Sequence, residues 1–182
     1  ENSSGPLGSG LSQASGMALA DKIDKKDNDR FIYCFMSDGE LNEGNSWEAI
    51  MFAGKNRLNN LIAIVDRNNI QIDGFTETVM PLEPLIDKWK SFYWHVLECS
   101  GHDFRALSQA VEEAHSMYGK PIVIITHTIP GKGVDFMERD YKWHGAVPGA
   151  TDMPDEPPKT KQAPMALDEL RTLSGRIRSE HQ

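Results

Sequence analysis

Four short apolar runs recur along the chain, and each predicts a buried strand. β-branched and aromatic residues dominate the runs, and polar or turn-forming residues bound them, which is typical of a parallel sheet covered on both faces. The segments between the runs carry apolar residues at helical spacing. Strands and helices therefore alternate, and this order predicts an α/β fold with a doubly wound, mostly parallel sheet. The predicted strands cover residues 31–36, 61–65, 94–99 and 121–126.

The first two strands and the helix between them form a compact βαβ unit, whose crossover should be right-handed. Asp38 lies just beyond the first strand, and Asn68 lies just beyond the second. If these strands are neighbours, the two side chains start about 5 Å apart, at the edge where open α/β sheets bind ligands. A carboxylate, an amide oxygen and a free backbone carbonyl are hard ligands that suit Mg²⁺ or Ca²⁺ holding a phosphate. The N–H groups of Gly39 and of the next helix N-terminus would serve the same anion.

Each of these signals also has an ordinary structural explanation. Asp-Gly and Asn-Asn pairs are common in turns, so the spacing alone leaves a plain turn open. Glu40 and Glu43 fall near the start of the next helix, where a carboxylate often does no more than complement the helix dipole. His144 lies in a glycine-containing loop, where an imidazole would suit a phosphate or a substrate hydroxyl.

Charge and cysteine content limit the class of partner. The formal net charge is −8 over 182 residues, which argues against nucleic acid and membrane surfaces because both favour a basic face. No apolar run approaches the roughly 20 residues that span a bilayer. The two cysteines, Cys34 and Cys99, form neither a metal-binding spacing nor a disulfide framework. They favour a reducing, cytoplasmic setting.

The two ends of the chain differ in composition from its centre. Residues 1–10 are rich in glycine and serine, which fits either a flexible terminus or tag remnant, or a loop whose glycines let the backbone approach a ligand. The sequence predicts one α/β domain over residues 1–148, a proline-rich linker over 149–164 and a C-terminal helix over 165–182.

Four stretches, taken together and in order, resemble the N-terminal, diphosphate-binding half of a transketolase. The pattern Ser37-Asp38-Gly39 followed by Asn68 is similar to the thiamine diphosphate motif, which opens Gly-Asp-Gly and closes with an asparagine. The likeness is strongest to the prokaryotic split transketolases, whose two halves are separate polypeptides. The four stretches are residues 5–10, 37–44, 66–74 and 143–146, within a resemblance that covers about residues 5–148.

This resemblance implies a role for each matching residue. Asp38, Asn68 and the backbone carbonyl of Ile70 would be ligands of Mg²⁺, for which Ca²⁺ or Mn²⁺ can substitute. Glu43 matches a glutamate at the subunit interface that links paired active sites, and His144 would face the donor substrate, so these two are the catalytic candidates. The residues implied to bind thiamine diphosphate are Gly5, Leu7, Gly39, Glu40, Asn68, Ile72, Ile129 and His144.

The chain also departs from the family pattern. Ser37 replaces the first glycine of the motif, and its side chain narrows the approach to the diphosphate. The family places several active-site histidines upstream of the glycine-rich loop at which this chain begins, so we expect an N-terminally incomplete domain. The glutamate that activates the aminopyrimidine belongs to a second, pyrimidine-binding half. We therefore expect an isolated chain that is inactive and that works with this partner half in a dimer or heterotetramer.

The implied activity is transfer of a two-carbon ketol unit from a ketose phosphate to an aldose phosphate. Three alternatives stay open. The chain could be a non-catalytic module that keeps the fold, or a Mg²⁺-dependent phosphoryl enzyme with its site at the same sheet edge. It could also be another thiamine diphosphate enzyme, such as a deoxyxylulose-phosphate synthase or a decarboxylase-type protein. The stretches Gln71–Gly74 and Trp143–Ala146 favour transketolase over this last group.

Overall fold

A computed structural model describes residues 2–3, 5–24, 30–150 and 157–180, with side chains up to residue 170. Residues 151–156 of the predicted linker and the last two residues of the predicted C-terminal helix lie outside the described residues. Among the residues that are described, no helix is long and apolar enough to cross a membrane.

The chain forms two compact units. The first unit comprises residues 1–69 and 76–128, and the second comprises residues 70–75 and 129–182. The domain ranges predicted from the sequence stay predictions, but the four predicted strands all fall in the first unit.

The first unit is built on a four-stranded sheet with the order β1-β2-β6-β5, and every neighbouring pair is parallel. This confirms the four strands and their parallel arrangement. Each observed strand begins or ends within two residues of its prediction, as expected where strand ends merge with turns. The strands are β1 (Ile32–Ser37), β2 (Leu61–Arg67), β5 (His95–Ser100) and β6 (Ile122–His127).

Helices cover both faces of this sheet, which confirms the doubly wound prediction. Alternate residues of a strand point to opposite faces, and β2 shows this directly. Ala63 and Val65 belong to one buried cluster with residues of helices α1, α2 and α4, whereas Ile62 belongs to another with Ala110 and Ala114 of α5. The helices are α1 (Ser9–Ile23), α2 (Gly44–Lys55), α4 (Leu85–Ser91) and α5 (Phe104–Ser116).

Local sequence signals explain where two of these helices sit. Asp103 caps α5, since its carboxylate accepts hydrogen bonds from the N–H groups of Arg105 and Ala106 at 2.9 and 3.1 Å. Gly54 lets α2 approach the turn before β5, because a Cβ at this position would lie 1.9 Å from the carbonyl oxygen of Phe92. Aspartate is a common N-cap residue, so the sequence carries a local signal for the start of α5. The close approach at Gly54 joins distant segments and leaves no such local signal.

Between β2 and α4 the chain makes three short elements that the sequence did not predict. They are β3 (Ile70–Gln71) and β4 (Gly74–Phe75), which pair as an antiparallel hairpin in the second unit, and the single helical turn α3 (Thr76–Val79) in the first unit. Strands of two residues carry too little periodicity to be recognised from sequence.

The second unit ends in helix α6 (Lys159–Glu180), which begins inside the segment predicted as a proline-rich linker. Pro158 directly precedes the helix, where a missing N–H costs little. Gln162 is buried, accepts a hydrogen bond from the N–H of Gly149 and donates one to the carbonyl of Pro157, both at 2.9 Å. The start predicted at residue 165 is therefore too late, because Pro164 lies within the helix rather than before it.

Candidate functional site

The carboxyl ends of β1 and β2 lie side by side, as the sequence predicted. Ser37 pairs with Asp66 across the two strands, and the N–H of Asp38 continues the ladder to the carbonyl of Asp66 at 3.1 Å. Asp38 therefore follows β1, and Asn68 follows Arg67, the last residue of β2. This edge of the sheet is where ligands bind in open α/β folds.

The two carboxylate oxygens of Asp38 have different surroundings. The residue is 0% exposed. Oδ2 accepts hydrogen bonds from Nη1 of Arg67 at 3.0 Å and from the N–H of Asn69 at 2.7 Å. Oδ1 is buried and has no hydrogen-bond partner among the described residues. A buried carboxylate oxygen without a partner is costly, and a hard cation would satisfy it.

Burial also dominates the electrostatics of Asp38. It raises the pKa of the carboxyl above its usual range, and the hydrogen bonds from Arg67 and Asn69 only partly oppose this rise. Burial likewise works against the charge of Arg67, but its hydrogen bonds to Asp38, Glu77 and Glu83 raise the guanidinium pKa above its ordinary value. Asp38 is thus shielded from water and lies beside the guanidinium of Arg67, which stays positively charged.

Arg67 is the residue of this region that sequence reasoning missed. It is 3% exposed and donates from Nη1 to Oγ1 of Thr76 at 2.8 Å, and from Nη2 to Glu77 at 2.7 Å and to Glu83 at 3.1 Å. One signal could have found it. In a strand, residues two apart share a face. Arg67 is therefore expected on the same face of the sheet as Ala63 and Val65, the face that α1, α2 and α4 cover.

Asn68 is oriented by the neighbouring strand ends. Its Nδ2 donates to Oδ2 of Asp66 at 2.9 Å, and Oδ1 of Asp66 accepts a hydrogen bond from the hydroxyl of Thr128. The side chain of Asn68 is half-buried at the same sheet edge as Asp38. Its predicted role as a metal ligand stays a prediction.

The glycine-rich loop before α1 packs onto the connection between β1 and α2. The N–H of Gly8 donates to Oε1 of Glu40 at 2.7 Å, and Nδ2 of Asn45 donates to the carbonyl of Gly8 at 2.6 Å. Gly8 has φ +78°, and a Cβ there would lie 2.8 Å from Cβ of Glu43. These contacts support a built loop rather than a tag remnant.

The predicted residues around this loop differ in exposure. Glu40 is buried, and its carboxylate accepts a hydrogen bond from the N–H of Gly8. It therefore does more than complement a helix dipole. Glu43 is exposed at the N-cap of α2 and makes no side-chain capping bond. Gly5 is exposed, and Leu7 is 64% exposed. Gly39 opens a short 3₁₀ helix, Gly39–Asn42, between β1 and α2.

Four predicted site residues belong to the second unit. Ile70 is buried in β3, whereas Ile72 is 76% exposed at the hairpin tip. Ile129 is half-buried, and His144 is exposed directly after the buried Trp143. The predicted roles of these four residues in binding the metal, the cofactor or the donor substrate stay predictions.

The donor chemistry at Asp38 fits a hard divalent cation that also binds phosphate. Within the described part of the chain, no three His, Cys, Asp or Glu side chains come close enough to hold a metal ion. A metal at Asp38 would thus take amide, carbonyl, water and phosphate oxygens beside a single carboxylate, which is how Mg²⁺ is commonly held with phosphate ligands. The unpaired Oδ1 of Asp38 is the observation that supports this fit.

Comparison with known families agrees with this geometry. The sequence profile of the family described as "Transketolase, thiamine diphosphate binding domain" matches residues 1–163. The chain belongs to this transketolase family. The match confirms the resemblance drawn from the four sequence stretches.

Individual relatives show how much of a transketolase the chain represents. It is 50% identical over 140 residues to the 6-deoxy-6-sulfo-D-fructose transketolase subunit SqwG of Clostridium sp. (strain MSTE9), covering 77% of this chain and 50% of that protein. It is 44% identical over 150 residues to one subunit of the apulose-4-phosphate transketolase of Phocaeicola vulgatus, covering 82% of this chain and 53% of that protein. The chain thus spans about half the length of these curated relatives.

A solved transketolase has the same fold. The crystal structure of transketolase from Campylobacter jejuni superposes with a TM-score of 0.74 at 31% identity. The superposition covers 97% of this chain and 31% of the Campylobacter chain. The likeness therefore extends over nearly all of this chain but over a minor part of a full transketolase.

Proposed function

We propose that this chain binds Mg²⁺ and the diphosphate of thiamine diphosphate as the N-terminal subunit of a two-chain transketolase. The observation that carries the proposal is the buried carboxylate of Asp38, whose Oδ1 has no hydrogen-bond partner among the described residues. The family match supplies the class of cofactor. When bound, thiamine diphosphate supplies the carbon nucleophile and the electron sink for ketol transfer.

The protein's own residues would position and neutralise the cofactor. Asp38, Asn68 and the carbonyl of Ile70 would hold the cation that neutralises the diphosphate. The N–H of Gly39 and the imidazole of His144 would donate hydrogen bonds to phosphate oxygens.

Two loops would line the cofactor site. Glu40 fixes the glycine-rich loop through Gly8, and so it would set where Gly5 and Leu7 meet the cofactor. Ile72 and Ile129 would supply apolar contact to the thiazolium end. Glu43 would reach the partner chain, since its exposed carboxylate makes no cap within α2.

The substrates we propose are ketose and aldose sugars that carry an anionic group. One relative is named for 6-deoxy-6-sulfo-D-fructose and the other for apulose-4-phosphate. A sulfonate and a phosphate are both strong anions, so the shared chemistry is a sugar with an anionic end. Both relatives are named as transketolase subunits, which supports a separate pyrimidine-binding partner chain in a dimer or heterotetramer. A reducing, cytoplasmic setting fits the two free cysteines.

Calorimetric titration of thiamine diphosphate with Mg²⁺ into the full-length protein, together with its partner half, tests the proposal. We expect Asp38→Ala to weaken binding at least about 10-fold, since it removes the only carboxylate proposed to hold the metal. Asp87→Ala is the matched control, because Asp87 is exposed on α4 of the same unit and loses the same charge. Equal binding in the two variants would refute the metal assignment, and absence of binding in the natural protein would refute the function.

A further inference from the structure

Arg67 is buried in the same cluster as Asp38, and nothing in the proposed function uses it. Its guanidinium spans four side chains: Nη1 lies between Asp38 and Thr76, and Nη2 lies between Glu77 and Glu83. Both ends of the planar guanidinium are therefore occupied by well-defined acceptors.

The acceptors on the far side of Arg67 are themselves fixed. Glu77 accepts a hydrogen bond from the N–H of Leu82 at 3.1 Å, and Glu83 accepts one from the N–H of Leu85 at 2.8 Å. Leu82 and Leu85 are buried in the core beside α4. The position of Arg67 is thus set by the segment that leads into α4, and not by Asp38 alone.

We propose that Arg67 is a positioning residue for the metal site, which holds Asp38 by Oδ2 so that Oδ1, which has no hydrogen-bond partner among the described residues, stays available to a cation. This inference rests on the proposed function, since it concerns the same metal. Without Arg67, Oδ2 would keep the hydrogen bond from the N–H of Asn69 but lose its side-chain donor. The carboxylate would then be free to rotate, and neither of its oxygens would be held in the position that binds the cation.

The cluster around Asp38 keeps a net negative charge although it contains Arg67. The guanidinium contacts three carboxylates, those of Asp38, Glu77 and Glu83, at 2.7–3.1 Å. One positive charge against three negative charges leaves the cluster attractive to a divalent cation. Arg67 therefore fixes the positions of the three carboxylates without neutralising their combined negative charge.

Coulomb's law and positioning predict opposite results when Arg67 is replaced. Removing a cation next to Asp38 should by charge alone strengthen binding of a divalent cation. Loss of a group that orients a metal ligand instead weakens metal affinity by about 10- to 100-fold. Lysine keeps the charge but cannot bridge two pairs of acceptors from a single ammonium group. Arg67→Met and Arg67→Lys should therefore weaken binding together if orientation matters.

The test is a Mn²⁺ titration of the full-length protein with its partner half and thiamine diphosphate, following free Mn²⁺ by electron paramagnetic resonance. A protein-free blank corrects for Mn²⁺ held by the free cofactor. We expect Arg67→Met and Arg67→Lys to raise the Kd for Mn²⁺ about 10-fold or more. Arg105→Met is the matched control, because Arg105 is exposed on α5 and loses the same charge.

A third variant keeps the test decisive if the buried arginine cannot be replaced without unfolding. Thr76→Val is similar in size and uncharged, and it removes an acceptor from the same Nη1 that bonds Asp38. We expect it to raise the Kd about 2- to 5-fold, in keeping with loss of one hydrogen bond. Unchanged or tighter Mn²⁺ binding in the folded variants, beside a clear loss in Asp38→Ala, would overturn the role of Arg67 alone. No Mn²⁺ binding by the natural protein would overturn the proposed function and, with it, this inference.

Discussion

At the scale of single residues, burial decides what a polar side chain can do. Asp38 and Arg67 are both buried and bonded to each other, so Asp38 is not the ordinary turn residue that its sequence context allows. Asn68 follows directly after Arg67 but stays half-buried and bonds the exposed Asp66. Two residues that are adjacent in sequence therefore differ in burial, in hydrogen-bond partners and so in the chemistry open to them.

Cys34 offers a residue-scale prediction that does not depend on a ligand. Burial, aided by the nearby Glu40 carboxylate, raises the pKa of its thiol to about 11. At pH 8 we expect about one molecule in a thousand to carry the reactive thiolate, so alkylation by iodoacetamide should be slow and accelerate about tenfold per pH unit. Mass spectrometry of peptides labelled at pH 8, 9 and 10 measures this.

The raised pKa of the Cys34 thiol also makes the stability of the folded protein depend on pH. Because the folded protein holds the Cys34 proton more tightly than the unfolded chain does, this group costs no stability below the ordinary thiol pKa. Stability should fall as the pH rises from about 9 towards 11. Cys99, whose thiol pKa is also raised by burial but which is half-buried, provides the internal comparison. Faster labelling of Cys34 than of Cys99 would contradict the prediction.

At the scale of elements, close approaches of backbone decide how the helices meet the sheet. α2 passes so near the turn before β5 that only glycine fits at position 54. The glycine-rich loop similarly meets the start of α2 at Gly8. Both contacts join segments that are distant in sequence, and the contact at Gly8 lies beside the connection between β1 and α2 that carries Asp38.

Two glycine-to-alanine substitutions separate close approach from helix propensity. Gly54→Ala should destabilise the protein by about 1–3 kcal/mol, because its Cβ would meet the carbonyl oxygen of Phe92 and the resulting overpacking exceeds the gain in helix propensity. Gly16→Ala in α1 should instead stabilise by about 0.5–1 kcal/mol, because a Cβ there has no neighbour within 4 Å. Urea unfolding midpoints measure both, and equal shifts in the same direction would refute the packing argument.

At the scale of the whole molecule, the unsatisfied Asp38 couples ligand binding to stability. A ligand that binds only the folded state stabilises it by about 2.7 kcal/mol at a concentration 100 times its Kd. Folding without the cation leaves a buried carboxylate oxygen unpaired among the described residues, so the apo protein bears a cost that the bound protein does not.

Thermal unfolding of the full-length protein with its partner half should show this coupling. Mg²⁺ and thiamine diphosphate together should raise the Tm by several degrees, and EDTA should reverse the rise. In Asp38→Ala the rise should be lost, and the apo Tm should fall below that of the natural protein, because the buried Arg67 and the N–H of Asn69 lose their carboxylate acceptor. A ligand-induced rise that persists in Asp38→Ala would argue against metal binding at this position.

The order of the strands in sequence, the doubly wound fold and the location of Asp38 and Asn68 were determined by the sequence itself. These features depend on local periodicity, on turn chemistry and on the rule that parallel strands share one edge, so the residues alone carry them. The hairpin at residues 70–75 and the early start of α6 were missed, because short strands and an internal proline leave no clear local pattern.

Only the tertiary structure decided how Asp38 is held. Its partners Arg67 and Asn69 lie 29 and 31 positions away in the chain, and the burial that leaves Oδ1 unpaired comes from packing of separate elements. Likewise, Glu40 meets Gly8 across 32 positions. Hydrogen bonds of this kind depend on where the sheet brings distant side chains together, and no periodicity along the chain records that placement.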